Sequence, residues 1–375
     1  MKDIFITDGL LGNLHTNNTF NDKIKIIHKD LKTHFEFVHR ISVILYDSEM
    51  NGLSSFIHSG IDDPISAYSC DIDTAPSLNK LRKLYCPRLV NDLELFKNGE
   101  NEHTKHIAAQ GYGSSYAVPM VDGEKFLGVV FFNSYEKEMF TMASLPILNI
   151  FSKLINCLIV NRLNSIRAMI GSFKSVLNLV SYKDPETGNH LERMARYSRL
   201  IAQQLAKFEK YHLNDEMIEH LFLFAPLHDI GKIGIPDYIL LKPGRLTKAE
   251  WQIMKTHSSK GRDIIDTIVT QMGLKSFEHI SLLRNISESH HETIDGKGYP
   301  NRLKNDEIPI ETQIVSVADI FDALTSERSY KQAWTNEDAF VELKKLGGTK
   351  LNQACIDVLI QERKSVEKIQ QAFKD

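Results

Sequence analysis

The pattern of the chain changes near residue 145, and this change constrains the fold more than any other feature. Before it, strand-like segments alternate with short helical candidates, whereas the apolar residues after it recur at helical spacing to the end. A length of 375 residues also favours two domains. We therefore expect an α+β chain, with an α/β domain over residues 1–145, a connecting helix over 146–183 and an all-α domain over 184–375.

Two hairpins are predicted within the first domain. Residues 37–58 contain two strand-like segments around Asn51-Gly52, and residues 116–133 contain two more around Asp122-Gly123. Asn-Gly and Asp-Gly pairs are typical of two-residue hairpin turns, because these residues accept positive φ angles. The first domain is therefore expected to contain antiparallel strand pairs.

The connecting helix carries apolar residues at alternating steps of three and four, a spacing typical of a coiled-coil seam. These residues are Leu148, Phe151, Ile155, Leu158, Leu163, Ile166, Ile170, Phe173, Leu177 and Val180. Two interpretations stay open: a signalling helix that forms a homodimer, or one amphipathic helix packed on its own domain. Its position between two domains favours the homodimer. We expect the helix to break at Asp184-Pro185, because the residue before a proline avoids the helical region.

Composition excludes several classes of function. A net charge of −3 and a pI near 6.6 argue against general binding to nucleic acid or to a membrane surface. No run reaches the roughly 18 apolar residues that cross a bilayer, and residues 1–10 lack the basic and apolar segments of a signal peptide. The four cysteines are scattered, without a CxxC pair. We therefore expect a cytoplasmic protein without a disulfide framework or a thiolate zinc site.

The second domain contains histidines and carboxylates in positions that a purely structural role explains poorly. Asp319 interrupts an apolar helical segment, where an unpaired carboxylate is costly. Glu186 and His190 are four residues apart and share one helical face. The candidate metal ligands are Glu186, His190, His228, Asp229, His257, His290, His291 and Asp319. His212, His220 and His279 have no motif around them, and we assign them to the surface or to hydrogen bonds in the core.

The type and number of these ligands predict the kind of metal centre. Imidazole and carboxylate groups without thiolate favour iron, manganese, nickel or zinc over calcium or magnesium. Eight ligands are too many for a single ion with an open position. The sequence therefore predicts two or three transition-metal ions.

Residues from about 175 to 345 resemble the HD-GYP domain, a branch of the HD phosphohydrolases. The matching segments are Asp184 to His190, His228 to Lys232, Lys242-Pro243-Gly244, His257 with Gly261, His290-His291-Glu292, Asp295 to Pro300, and Asp319 through Arg328 to Lys331. The first domain resembles a GAF domain at residues 89–93 and 126–130. The Asn-Lys-Phe-Asp-Glu signature of cyclic-nucleotide-binding GAF domains is absent, so no ligand is predicted for this domain.

The resemblance implies a metal-dependent phosphodiesterase that hydrolyses cyclic di-GMP, a bacterial second messenger, to pGpG and/or GMP. It implies that a hydroxide bridging two metals, iron with manganese as the alternative, attacks the phosphate. Asp229 would bridge the ions, Lys232 would lie near the scissile phosphate, and Arg328 and Lys331 would hold phosphate. Gly298-Tyr299-Pro300 is credited with shaping the substrate site or with contacting a partner such as a GGDEF-domain protein.

Departures from the family pattern concern the third metal and the substrate pocket. Glu186 occupies a position where tyrosine is common, and the resemblance to a trinuclear subgroup implies a ligand there. The alternative is a first-turn glutamate favoured by the helix dipole. Ser258 and Thr293-Ile294 replace a common proline and an arginine–aromatic pair, which leaves details of the substrate pocket open.

Two alternative functions stay open on sequence grounds. One is a non-catalytic effector that binds cyclic di-GMP and reports to a partner. The other is an HD-type phosphohydrolase that acts on another nucleotide, such as a stress alarmone or a related cyclic dinucleotide. The retained ligand positions argue against the first, and the Gly-Tyr-Pro and Lys-Pro-Gly segments argue against the second.

Overall fold

The computed structural model of the chain describes residues 19–60, 68–96, 110–181, 188–271, 279–327 and 332–374. The chain divides into two compact units between Ser165 and Ile166. The first unit is α/β and the second is helical, so the expected fold class is confirmed. The finer bounds of the three expected segments stay a prediction, and the break at Asp184-Pro185 lies outside the described residues.

The first unit is built around a six-stranded antiparallel sheet. The strands are β1 Arg40–Asp47, β2 Gly52–Ser59, β3 Ser69–Asp71, β4 Arg88–Val90, β5 Ser114–Asp122 and β6 Lys125–Ser134. They lie in the sheet in the order β3-β2-β1-β6-β5-β4. The helices are α1 Phe20–His34, α2 Pro76–Leu84 and the start of α3 Leu145–Ser181. Both predicted hairpins are present, as β1–β2 and β5–β6.

Two layers of apolar side chains cover the sheet. On one face, α1 and the start of α3 pack against residues such as Val43 and Phe132. On the other, α2 packs against Leu53 and Val129. The central strands also require a glycine, because a Cβ on Gly128 would lie 1.9 Å from the carbonyl oxygen of Ile44. The close pairing of β1 with β6 therefore depends on this position.

Over residues 148–163, the predicted seam of the connecting helix faces the core of the first unit, with Leu158 partly buried. Leu148, Phe151 and Ile155 are buried there, and the buried face continues through Ile159 and Leu163. This packing agrees with the alternative of an amphipathic helix covering its own domain. The side chains of Leu177 and Val180 lie outside the described residues, and dimerisation stays a prediction.

In the described part of the second unit, regular structure is helical apart from two isolated bridges. Its α-helices are α4 Gly188–Leu205, α5 Asp215–Phe224, α6 Asp237–Leu240, α7 Lys248–Lys255, α8 His257–Gln271, α9 Ile280–Ser289, α10 Ile310–Thr325, α11 Asn336–Leu346, α12 Gln353–Gln361 and α13 Arg363–Ala372. Short 3-10 helices connect several of them, including Ala225–Leu227 and Ile230–Gly234. Among the described helices, none is long and apolar enough to span a bilayer.

Candidate metal centre

The predicted ligands lie mostly at the ends of helices of the second unit. His190 is in the first turn of α4, His257 begins α8, and His290 and His291 follow α9. These helix ends converge because a 3-10 turn packs closely on the start of α8. A Cβ on Gly231 in that turn would lie 1.8 Å from the carbonyl oxygen of His257. Glycine at this position therefore lets the segment after His228 approach the other ligands.

Seven of the eight predicted ligands form two clusters. In the first, the ligand atoms of Asp229, His257, His290 and His291 lie within 4.8 Å of one another. Oδ1 of Asp229 is 3.3 Å from Nε2 of His257 and 3.6 Å from Nε2 of His290. The first cluster therefore converges on one carboxylate oxygen.

The second cluster contains His190, His228 and Asp319. Oδ1 of Asp319 is 3.8 Å from Nε2 of His190 and 3.9 Å from Nε2 of His228. The other oxygen of Asp229, Oδ2, is 3.1 Å from Nε2 of His228. Asp229 thus lies between the clusters and presents one oxygen to each.

Main-chain hydrogen bonds orient three of the imidazoles. Nδ1 of His228 lies 3.0 Å from the carbonyl oxygen of Ala225. Nδ1 of His257 lies 2.8 Å from the carbonyl oxygen of Met254, and Nδ1 of His290 lies 3.0 Å from that of Ile286. A carbonyl oxygen only accepts, so Nδ1 carries the proton and donates it. Nε2 of each neutral ring is therefore a lone pair that faces the carboxylates. This arrangement is typical of metal-bound histidine.

Burial of the histidines and the charge near Asp229 keep these groups in the protonation states that a metal needs. Burial lowers the pKa of His257 to about 4 and that of His291 well below its ordinary value. Burial raises the pKa of Asp229, but the charge of Lys232 opposes this effect, and the pKa lies well below its usual range. Neutral imidazoles and an ionised carboxylate are the ligand forms of these groups.

The donor set fits transition-metal ions. Lone pairs on neighbouring nitrogens repel one another, yet Nε2 of His257 and Nε2 of His290 lie 3.4 Å apart. A cation bound by both lone pairs would remove this repulsion. Imidazole nitrogen and carboxylate oxygen are ligands that suit iron, manganese or zinc.

The remaining predicted site residues are Lys232, Glu186, Arg328 and Lys331. Lys232 lies beside the centre, with Nζ 3.0 Å from Oδ2 of Asp229. Glu186, Arg328 and Lys331 lie outside the described residues. The third metal and the two phosphate-binding residues therefore stay predictions.

The structure adds Asp322, which the sequence analysis did not select. Its fully buried carboxylate accepts hydrogen bonds from Nδ1 of His190 at 2.8 Å and from Nε of Arg193 at 2.7 Å. Ser326 donates another at 2.8 Å. Burial raises the pKa of Asp322, but His190 and Arg193 bring it below its ordinary value. The sequence does carry a signal, because Asp322 is a second carboxylate in the apolar segment that contains Asp319.

Glu292 holds the loop that contains the Gly-Tyr-Pro segment. Its carboxylate accepts the backbone N–H groups of Asn301 at 2.6 Å and of Arg302 and Leu303, both at 3.0 Å. The loop places the ring of Tyr299 4.7 Å from the ring of His291. Tyr299 therefore covers one side of the first cluster.

Comparison with known proteins identifies the helical unit. Residues 174–354 match the family model of the HD domain. A probable cyclic di-GMP phosphodiesterase of Vibrio cholerae is 38% identical over 203 residues, which cover 54% of this chain and 46% of that protein. The cyclic di-GMP phosphodiesterase response regulator RpfG of Xanthomonas campestris is 40% identical over 190 residues, 51% of this chain and 47% of that protein.

A relative named for a different substrate matches a similar share of the chain. The 3'3'-cGAMP-specific phosphodiesterase 2 of Vibrio cholerae is 36% identical over 187 residues, 50% of this chain and 33% of that protein. The chain thus spans half or less of the length of these curated relatives.

The GAF domain of an Acinetobacter phosphoenolpyruvate-protein phosphotransferase covers 40% of this chain and 89% of its own, at 13% identity and a TM-score of 0.32. Over residues 174–354, the chain is similar to the HD domain family.

Proposed function

We propose that this chain is a metal-dependent phosphodiesterase that hydrolyses cyclic di-GMP to pGpG and/or GMP. One observation carries the proposal: Asp229 lies between two histidine clusters and presents one oxygen to each. A carboxylate in this position suits two adjacent metal ions, the arrangement that phosphodiester hydrolysis uses. The names of the relatives supply the substrate.

In this proposal the metal ligands are His190, His228, Asp229, His257, His290, His291 and Asp319, with Glu186 as a candidate for a third ion. Iron is the proposed metal, and manganese is the alternative. When bound, such ions provide a water-derived nucleophile at neutral pH and offset charge on the phosphoryl oxygens.

The side chains around the clusters would bind and orient the phosphate. Lys232 places a fixed cation beside Asp229, where it keeps that carboxylate ionised and can bind a phosphoryl oxygen. Arg328 and Lys331 are the further phosphate-binding residues of the proposal. Tyr299 limits the access of water to the first cluster from its side.

The test is to incubate anaerobically purified protein with cyclic di-GMP, with and without ferrous iron or manganese, and to follow products by chromatography. Asp229→Ala should lose metal and hydrolysis together, whereas Asp263→Ala, which removes an exposed carboxylate of α8, should keep both. Full hydrolysis by Asp229→Ala would overturn the metal assignment. Binding of intact substrate under every metal condition would favour the effector.

A second candidate substrate is 3'3'-cGAMP, because a relative named for it is 36% identical over half of this chain. Both molecules are cyclic dinucleotides with two phosphodiester bonds, so the same centre serves either. Initial rates with each compound at equal low concentration compare kcat/KM directly. A higher value for 3'3'-cGAMP would replace cyclic di-GMP as the substrate and leave the metal chemistry unchanged.

We further propose a homodimer through the connecting helix, on a face other than the buried seam. Ile147, Ile150 and Cys157 lie on one face of the helix, and Ile147 and Ile150 are 37% and 65% exposed. Exposed Cys157 tests this face, because mild oxidation should cross-link two chains there. Cys157→Ser should abolish the cross-link, and Cys86→Ser, at another exposed cysteine, should not.

The first unit is proposed to regulate hydrolysis, as its resemblance to a sensory domain suggests. Comparing the rate of the full chain with that of a chain lacking residues 1–140 tests this, and equal rates would count against regulation. A cytoplasmic location and a contact between the Gly298-Tyr299-Pro300 loop and a GGDEF-domain protein stay predictions.

A further inference from the structure

A third group of metal-ligating side chains lies outside the seven residues of the two clusters. Glu216 and His220 are one turn apart on α5, and His279 directly precedes α9. Their ligand atoms all lie within 4.8 Å of one another. The fold therefore brings together two histidines for which the sequence showed no motif.

The donor atoms of this group converge on a small, largely buried space. Nε2 of His279 is 3.7 Å from Oε1 of Glu216, and the rings of His220 and His279 have their centroids 4.6 Å apart. His220 is fully buried and Glu216 is 8% exposed, whereas the side chain of His279 is 22% exposed. The space is therefore dry on one side and open to solvent at His279.

The tautomer of His220 follows from its main-chain contact. Its Nδ1 lies 2.7 Å from the carbonyl oxygen of Glu216, which only accepts, so Nδ1 carries the proton of the neutral ring. Nε2 then has the lone pair that coordination requires. This is the same orientation by a main-chain carbonyl that the rings of the catalytic clusters show.

We propose that Glu216, His220 and His279 bind a zinc-class divalent metal ion. Two imidazole nitrogens and one carboxylate oxygen form a three-residue zinc set, with a water molecule completing a tetrahedron. Bonds of about 2.0–2.1 Å place tetrahedral ligands about 3.4 Å apart. The separation of 3.7 Å between His279 and Glu216 is close to that value, so binding requires only a small closure.

The position of the site indicates a structural role. Helix α5 leads through the 3-10 helix Ala225–Leu227 to His228, and α9 leads directly to His290. An ion held by Glu216, His220 and His279 ties the start of α5 to the start of α9. It therefore fixes the two segments that deliver ligands to the catalytic clusters, and its loss should loosen both.

The test uses the full chain and two substitutions of the same kind. His279→Asn removes a ligand, and asparagine tolerates the left-handed conformation of this residue, whose φ is +63°. His212→Asn is the matched control, because His212 is exposed and has a φ of +50°. After reconstitution with zinc and removal of excess metal, elemental analysis counts the ions bound per chain.

We expect His279→Asn to bind one ion fewer than the wild-type chain, and His212→Asn to bind the same number. Zinc should also raise the unfolding midpoint of His212→Asn by about 5 °C more than that of His279→Asn at saturation. Glu216→Gln, which keeps the size of the side chain, should repeat the result of His279→Asn. An unchanged metal count in both ligand variants overturns the site and leaves an ion pair between Glu216 and His279.

The outcome is separable from that of the proposed catalytic function. Asp229→Ala removes the carboxylate shared by the two clusters but none of the three ligands of the structural site. In that background, zinc should still stabilise the chain, and adding His279→Asn should abolish the remaining effect. Loss of all zinc binding in Asp229→Ala alone would overturn the third site while supporting the catalytic centre.

Discussion

Replacement of Asp322 by asparagine should destabilise the helical unit and weaken the proposed metal binding at His190. The carboxylate is fully buried and accepts hydrogen bonds from His190, Arg193 and Ser326. An amide of the same shape carries no charge and has one acceptor oxygen, so it cannot bind the guanidinium through two oxygens as the carboxylate does. Arg193, which is 4% exposed, would then lose the negative charge of Asp322 from its buried ion pair.

The magnitude follows from the burial of this pair. Removing one partner of a buried ion pair costs about 3–5 kcal/mol, and the retained amide oxygen places Asp322→Asn near the lower end of that range. Removing the group that orients a metal-bound histidine typically weakens metal affinity by about 10–100-fold. Both effects should appear, because Asp322 contacts Arg193 and His190 at the same time.

Urea unfolding of the metal-free chain measures the first effect, and competition with a metal-binding dye measures the second. Asp306→Asn, at an exposed position of the same unit, should change the free energy of unfolding by less than about 0.5 kcal/mol. A free energy of unfolding within about 1 kcal/mol of wild type for Asp322→Asn, together with unchanged metal affinity, would refute the reasoning.

Three further predictions concern residues that support the segments around the candidate metal ligands. Gly231→Ala should lower the free energy of unfolding by more than about 2 kcal/mol and lower metal affinity, because its Cβ would lie 1.8 Å from the carbonyl oxygen of His257. Thermal unfolding measures this effect, and Gly171→Ala, whose Cβ meets nothing within 4 Å, is the control. Glu292→Gln should lower the free energy of unfolding by about 1–3 kcal/mol and raise KM, since its amide cannot accept all three backbone N–H groups. An unchanged KM would count against a role of the Gly-Tyr-Pro loop in shaping the substrate site. Hydrogen bonds from Lys242 and Thr247 lower the pKa of Glu250 to about 2. The ionised Glu250 therefore stabilises α7 above the ordinary glutamate pKa, and this stabilisation is lost as pH falls toward 2. An ordinary pKa for Glu250, measured by NMR, would contradict the capping contacts.

The sequence revealed those features whose signal is local. Turn residues predicted the hairpins around Asn51-Gly52 and Asp122-Gly123, and carboxylates in apolar segments predicted residues such as Asp319. Both signals depend on neighbours in the chain. The fold class, and the seven residues that gather in the two clusters, could therefore be predicted from the sequence, whereas the binding of metal by these residues stays a prediction.

Features that depend on a distant partner could not be predicted in this way. The seam of the connecting helix has the same periodicity whether a second copy or the sheet of its own domain covers it. Likewise, Glu216 and His220 become a cluster only when the fold adds His279, which lies 59 residues after His220 in the chain. Helical spacing identifies the buried face, and tertiary structure decides what that face meets.

The hydrogen bonds from Nδ1 of His228, His257 and His290 to main-chain carbonyl oxygens have a consequence for sequence divergence. Every residue type has a carbonyl, so Ala225, Met254 and Ile286 can be exchanged for other side chains without loss of the acceptor. The orientation of these imidazoles thus depends on the backbone and not on the side chains of the acceptor residues. Relatives can differ at the supporting positions and still direct the same three nitrogens at the same point in space.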